Sequence, residues 1–157
     1  MRLDKLLERL EYEVVQGSDR TEVTTLVNDS RKVEKGSVFV CISGAVSDGH
    51  RFAADVADKG AAALVVEKEV KVPEEVTVIR VPDTRYALAL MSAAYFGYPA
   101  EKLNIIGITG TKGKTTSSFL IKSILEAAGH KTGLIGTVCS MIGEEVIPSR
   151  LTTPDPI

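Results

Sequence analysis

Cysteine is nearly missing from this 157-residue chain: only Cys41 and Cys139 occur, far apart and outside any Cys-x-x-Cys pair. That excludes a disulfide framework and a cysteine-rich metal cluster, and it suits a reducing compartment. No apolar run approaches the roughly 20 residues that a membrane-spanning helix needs. The first residues mix charge with an amphipathic pattern and form no apolar leader core. Internal repeats and low-complexity tracts are missing too. Positive charge is not in excess. The net charge of −2 excludes a nucleic-acid binder driven by bulk electrostatics, so any anion must be gripped locally by loops and helix ends. These absences together imply a soluble, cytoplasmic protein with neither nucleic acid nor membrane as partner.

What is present is an ordinary globular composition, 44% hydrophobic and 25% charged, in a length that suits one good-sized domain or two small ones. The most informative stretch spans residues 103–128. Ile105, Ile106 and Ile108 form a short apolar run that reads as a buried parallel strand. Then come Thr109-Gly110-Thr111-Lys112-Gly113-Lys114-Thr115-Thr116 and a segment with Phe119, Leu120, Ile121, Ile124 and Leu125 at helical spacing. Strand, glycine-rich turn ending in Gly-Lys-Thr, and helix are the context of a phosphate-binding loop. The turn's backbone N–H groups and the positive end of the helix would meet a polyphosphate. Gly110 and Gly113 would let the backbone approach closely, Lys114 would reach the β/γ-phosphates, and the Thr115 hydroxyl would help hold Mg²⁺. The spacing is a variant. The strict pattern puts a glycine five residues before the Gly of Gly-Lys-Thr, where this chain has Ile108.

Read in order, Leu3, Leu6, Leu7 and Leu10 predict a helix docking one face, and Glu13 to Val15 and Glu22 to Val27 predict short strands. Asn28-Asp29-Ser30-Arg31-Lys32 is dense in hydrogen-bonding groups. It reads either as a solvated loop with Asx-type turns or as a ligand site. Val38 to Ile42 predicts a buried strand with Cys41 in the core, and it feeds the loop through Asp48-Gly49-His50 at a strand's carboxyl end, where open α/β sheets bind ligands. His50 could pair with a phosphate or hydroxyl, or cap the following helix at 52–59. Gly60 ends that helix, Ala61 to Val66 is the next strand, and the unit implies a parallel crossover. Val76 to Val81 is a further strand, and Asp83 caps a helix through Phe96 whose Tyr86, Leu90, Met91, Ala93 and Ala94 predict burial over much of its circumference. Gly97 and Pro99 stop it. Tyr98 to Lys102 is the domain boundary, giving regions 1–99 and 100–157. Beyond the loop helix, His130 reads as a solvated end-of-helix residue, Leu134 to Val138 as a strand, and Glu144 to Ile147 as part of a small hairpin. The remaining length is short for a complete P-loop domain, so the chain reads as the N-terminal piece of a longer enzyme.

The combination resembles the Mur ligases. Gly107 to Thr116 resembles their ATP loop, which also lacks the first Walker glycine. Asn28 to Val33, Gly36 to Val40, Asp48-Gly49-His50 and Gly60-Ala61 resemble the uridine-domain signature, shared by the members that add the third amino acid and the terminal D-alanyl-D-alanine. Leu151-Thr152-Thr153-Pro154-Asp155-Pro156 resembles the former. The resemblance implies an α/β fold: a mixed α/β UDP-substrate domain, then the start of a P-loop, Rossmann-like ATPase domain. It implies ATP and Mg²⁺ as cofactors, UDP-MurNAc-L-Ala-D-Glu and a diamino acid (meso-diaminopimelate or L-lysine) as substrates, and amide formation through an acyl phosphate. The full enzyme would be a monomer, and this piece would bind ligands without turnover. It assigns the ATP loop to Gly110, Thr111, Lys112, Gly113, Lys114, Thr115 and Thr116, with Lys114 catalytic and Thr115 at the metal. Ser30 would contact the UDP-sugar, with Asp29 and Arg31 as neighbours, and Thr152 and Thr153 the UDP-MurNAc-dipeptide. The loop from Ala45 to Asp48 would lie near the uracil. The alternatives are the D-alanyl-D-alanine-adding ligase and a non-catalytic P-loop module.

Overall fold

The computed structural model describes residues 1–44, 47–149 and 156–157. Ala45, Val46, Thr152 and Thr153, with their assigned roles, lie outside the described residues. The chain divides into two compact units, Met1–Leu103 with Pro156–Ile157, and Asn104–Asp155.

The first unit is built on a five-stranded mixed sheet of order β1-β5-β4-β3-β2, from β1 (Glu13–Gln16), β2 (Leu26–Val27), β3 (Val38–Val40), β4 (Ala63–Val66) and β5 (Thr77–Arg80). Strands β2 to β5 run parallel, and β1 closes one edge antiparallel to β5. The period-two alternation of each strand sends neighbouring residues to opposite faces. Val38, Val40, Ala63, Val65, Ile79 and Val81 pack on helices α1 (Leu3–Leu7) and α3 (Thr84–Tyr95). Phe39, Cys41, Leu64, Val66 and Val78 pack on α2 (Ala53–Asp58) through Val56 and Ala57. The result is a sheet covered by helices on both faces, as the apolar runs predict.

Three local expectations change. Only Leu26–Val27 of the 22–27 stretch is a strand, because residues 21–23 pair with the amino terminus instead, Leu3 N–H donating to Thr21 O (2.9 Å) and Val23 N–H to Met1 O (2.7 Å). The segment at 49–58 begins as a 3₁₀ turn, Gly49–Phe52, before α2. Helix α3 buries a single stripe, Thr84, Ala87, Leu88, Met91 and Ser92, against the sheet and α1, and leaves Tyr86, on its other side, 62% exposed. Its predicted cap holds: Asp83 Oδ1 accepts from Arg85 N–H (2.8 Å) and Tyr86 N–H (2.9 Å).

The second unit holds α4 (Lys114–Ala127) and an antiparallel sheet of order β6-β7-β8: β6 (Gly133–Ile135), β7 (Cys139–Ile142) and β8 (Glu145–Pro148). Gly143, at φ 58°, turns the β7–β8 hairpin, whose second arm is the one expected at 144–147. The strand predicted from Ile105 to Ile108 is not formed: residues 104–110 are irregular, with Ile105 72% and Ile106 58% exposed. A strand exists only where a neighbour takes its N–H and C=O groups. Among the described residues none pairs with this run, and β6, β7 and β8 pair only with one another. Helix α4 likewise exposes Leu120 and Ile124 and buries Lys122. Its Nζ donates to Glu126 Oε1 and to Gly143 O (3.0 Å), tying helix to hairpin.

Candidate functional site

Each unit holds one candidate region. In the second unit, Gly113 is the residue before α4 and has φ 78°, a left-handed conformation that favours glycine. No side chain caps this end of the helix. Among the described residues, no backbone N–H from 107 to 116 donates a hydrogen bond within the chain. The first amide with a partner is Ser117, donating to Gly113 O (2.9 Å). Residues 109–116 are all exposed. Lys114 Nζ folds back to donate to Gly110 O at 2.7 Å, which occupies one of its three N–H groups. A row of unpaired amides ahead of a 14-residue helix, with an ammonium across it, is a donor set for a polyphosphate. Among the described residues no group of three or more His, Cys, Asp or Glu is placed to hold a metal ion. Thr115 therefore offers a lone hydroxyl, which fits a magnesium ion that takes most of its ligands from phosphate oxygens and water.

In the first unit the carboxyl ends of β2, β3 and β4 bring together 28–32, 41–44, 47–50 and 67–68. Asp29 accepts from Arg31 Nε (2.9 Å), Arg31 Nη2 (2.7 Å) and the Arg31 backbone N–H (2.9 Å). The Asx-type turn anticipated for a plain loop is therefore present. The guanidinium holds the Asp29 carboxyl well below the usual carboxylate range. Ser30 is half-buried, and its backbone oxygen accepts from Lys59 Nζ (3.1 Å). Its hydroxyl makes no hydrogen bond among the described residues, so it remains available to a ligand. No motif marks Lys59. Its signal is the salt bridge it makes with Asp55 (2.8 Å) one turn earlier, which orients the amine.

His50 does neither of the things its sequence suggests. Its ring is buried, and Asp48 caps the turn instead, Oδ1 accepting from His50 N–H (3.0 Å). His50 Nδ1 lies 2.7 Å from the same Asp48 oxygen, while Nε2 accepts from Glu67 N–H (3.0 Å). Lys68 and His50 hold Asp48 well below the usual carboxylate range. Gly49 is required by contact: an added Cβ would lie 2.7 Å from Ile42 N. Glu67 Oε1 accepts from Thr84 N–H (2.8 Å) and Thr84 Oγ1 (2.7 Å), so the amino end of α3 is already filled by the chain's own carboxylate. Burial pushes the Cys41 thiol up to about 12, so this thiol is an inert core group. A cleft of about 370 Å³ is lined by Asp48, His50, Arg51, Lys68 and Lys71. A second, of about 390 Å³, is lined by Tyr12, Glu67 and Arg80. Ser30 lines neither. Ser30 and the 110–116 loop belong to different units. No described helix is long and apolar enough to cross a membrane.

Two family models match in succession: "Mur ligase family, catalytic domain" over residues 22–96 and "Mur ligase middle domain" over 108–157. The UDP-N-acetylmuramoyl-L-alanyl-D-glutamate–2,6-diaminopimelate ligase of Clostridium perfringens is 52% identical over 155 residues, 99% of this chain and 32% of that protein. A solved structure of a ligase with the same name superposes with a TM-score of 0.74 at 27% identity, over 99% of this chain and 31% of the other. MurF from Thermotoga maritima in complex with ADP reaches a TM-score of 0.50 at 26% identity, over 68% of this chain and 24% of the other. The chain thus spans about a third of the length of the curated relatives it matches.

Proposed function

Because the chain belongs to the Mur ligase family, we propose that it supplies the nucleotide-handling parts of an ATP-dependent, cytoplasmic ligase of peptidoglycan precursor synthesis. That enzyme joins a diamino acid to UDP-MurNAc-L-Ala-D-Glu. Residues 1–99 form the UDP-substrate domain and 100–157 begin the ATP-binding domain. The observation that carries the reading is the open loop of unpaired amides at 107–116, closed by Lys114.

Bound there with Mg²⁺, ATP would supply a transferable phosphoryl group to the substrate carboxylate. The backbone N–H groups of Gly110, Thr111, Lys112 and Gly113 would hold its phosphate oxygens, and the amides of Lys114, Thr115 and Thr116 would add the positive end of α4. Lys114 would exchange Gly110 O for a phosphate oxygen and neutralise charge there, and the Thr115 hydroxyl would help hold the metal. Such catalysis rests on positioning and charge rather than on covalent protein chemistry. In the first domain Ser30 donates its free hydroxyl to the UDP-sugar. Thr152 and Thr153 serve the dipeptide end.

Diaminopimelate is favoured over D-alanyl-D-alanine as the second substrate by the name of the relative at 52% identity. The test is calorimetric. The chain should bind ADP with Mg²⁺, and Lys114→Ala should weaken that binding at least tenfold while leaving the circular dichroism spectrum unchanged. Ser30→Ala should weaken UDP-N-acetylglucosamine alone. Undiminished ADP binding by Lys114→Ala would remove the role given to the loop.

A further inference from the structure

Gly97 and Pro99 punctuate the sequence where α3 stops, and the residue between them makes contacts that no role above uses. Gly97 (φ 71°) and Tyr98 (φ 54°, ψ 54°) are two left-handed residues in succession. Backbone groups alone close the helix: Gly97 N–H donates to Ala94 O (3.0 Å) and Tyr98 N–H to Ala93 O (2.7 Å). That closure needs no side chain at 98. A left-handed position favours glycine, because a Cβ there crowds the following carbonyl oxygen. Among the described residues Tyr98 is the only non-glycine with a positive φ. A large side chain kept at a strained position directs attention to what it touches.

What it touches is the carboxyl end of α1. Tyr98 OH donates to Oε1 of Glu8, the residue that ends α1 (2.7 Å). The Arg9 guanidinium lies over the Tyr98 ring, its Cζ 3.8 Å from the centroid. Arg9 Nη1 also donates to Glu101 Oε1 (2.5 Å) in the 3₁₀ turn Pro99–Lys102, and Glu101 N–H returns to Tyr98 O (3.1 Å). An exposed ion pair alone holds little. Here a hydrogen bond, a cation–π stack and an ion pair converge on one ring and one guanidinium, so each fixes the geometry of the others. The anchor is firm, since Leu3, Leu6 and Leu7 of α1 are fully buried. Immediately downstream the picture reverses. Residues 104–110 are irregular, and none of their backbone N–H groups donates a hydrogen bond within the chain among the described residues. We propose that Tyr98 is a clamp that pins Pro99–Lys102 to α1 through its ring and hydroxyl. The first unit then stays ordered through Lys102, and the freedom of the link lies in 104–110, not at the glycine and proline that punctuate the sequence.

The test is nitrogen-15 relaxation on the whole chain. Order parameters of Ala100–Lys102 should match those of α3, about 0.85, and fall below about 0.6 between Ile105 and Gly107. Tyr98→Asn tolerates the left-handed backbone but is too short to reach Glu8 or to stack under Arg9. It should bring Ala100–Lys102 below about 0.6 as well, with α3 and the sheet amides unchanged. Arg9→Met leaves residue 98 as it is and should loosen the same three residues. Tyr98→Phe keeps the ring under Arg9, loses only the bond to Glu8, and should loosen them less. Trypsin gives a second reading: cleavage after Lys102 should accelerate several-fold in Tyr98→Asn, while cleavage after Lys112 keeps its rate. Wild-type Ala100–Lys102 as mobile as 105–107 overturns the proposal. So does unchanged order there in Tyr98→Asn. Loosening in Tyr98→Asn that Arg9→Met does not share reduces Tyr98 to a helix stop and overturns it too.

Discussion

Val65 and Ile105 sit in apolar runs that read alike, yet the first is fully buried and the second is 72% exposed. The contrast extends to the whole of each unit. In the first, two clusters of apolar side chains fill both faces of the sheet. In the second, Leu134 and Cys139 are the only buried hydrophobic residues among those described, while Ile124, Ile135, Val138 and Ile142 are each about two-thirds exposed. An apolar run specifies burial only if a partner surface exists to bury it. The first unit contains its partners, and the second, as described, is held largely by a hairpin ladder and by Lys122.

The largest expected effect breaks or sustains that contrast directly. Phe39→Ala, at a position 1% exposed, should cost about 3–5 kcal/mol in urea unfolding of the first unit. Ile124→Ala should stay within about 0.5 kcal/mol, as an exposed substitution does. Equal costs at the two positions would erase the distinction. Next comes Lys122→Ala, which should cost about 1–3 kcal/mol by leaving the Gly143 carbonyl without its ammonium donor and Glu126 with Thr132 Oγ1 alone, read as lost protection of β7 and β8. Leu120→Ala on the same helix should leave both strands unaffected. Asp83→Ala should cost about 1 kcal/mol through the lost α3 cap.

The smallest effect is a matter of pH. The two bonds from Thr84 lower the folded-state Glu67 pKa from its ordinary 4.5. A carboxylate lowered in the folded state contributes fully above its unfolded value and loses that contribution as pH falls through the folded one. Acid should therefore weaken the first unit below about pH 4.5, and Glu67→Gln, measured by urea midpoints at pH 3 to 7, should flatten that slope. A slope unchanged in Glu67→Gln would assign the acid sensitivity to other carboxylates.

Much of the first unit was readable because its signals are local: continuous apolar runs at 38–42 and 61–66, the Asp83 cap, and glycines at 60 and 97 that end helices. Of the hairpin at 139–148 only the second arm, expected at 144–147, was legible; β7 was not, and the strand expected at 134–138 ends at Ile135. The 105–108 strand failed because a ladder partner is a non-local fact that apolar spacing cannot supply. Tyr86 failed for a related reason, since the spacing marks an apolar stripe but not the width of the surface that covers it. At the candidate sites, the glycine and lysine spacing of 110–116 and the helical pattern after it marked the candidate loop, although the strand expected before it is not formed. The setting of His50 could not, because its decisive partner is a backbone N–H 17 residues away, at Glu67.

Amide hydrogen exchange across residues 104–128, with and without saturating ADP and Mg²⁺, tests the central claim most directly. Amides of Val38–Val40, Ala63–Val66 and Thr77–Arg80 should be slow in both states, whereas those of 107–116 should exchange almost freely alone and slow markedly with nucleotide. Protection of 107–116 before nucleotide is added, or no change at saturation, would contradict it.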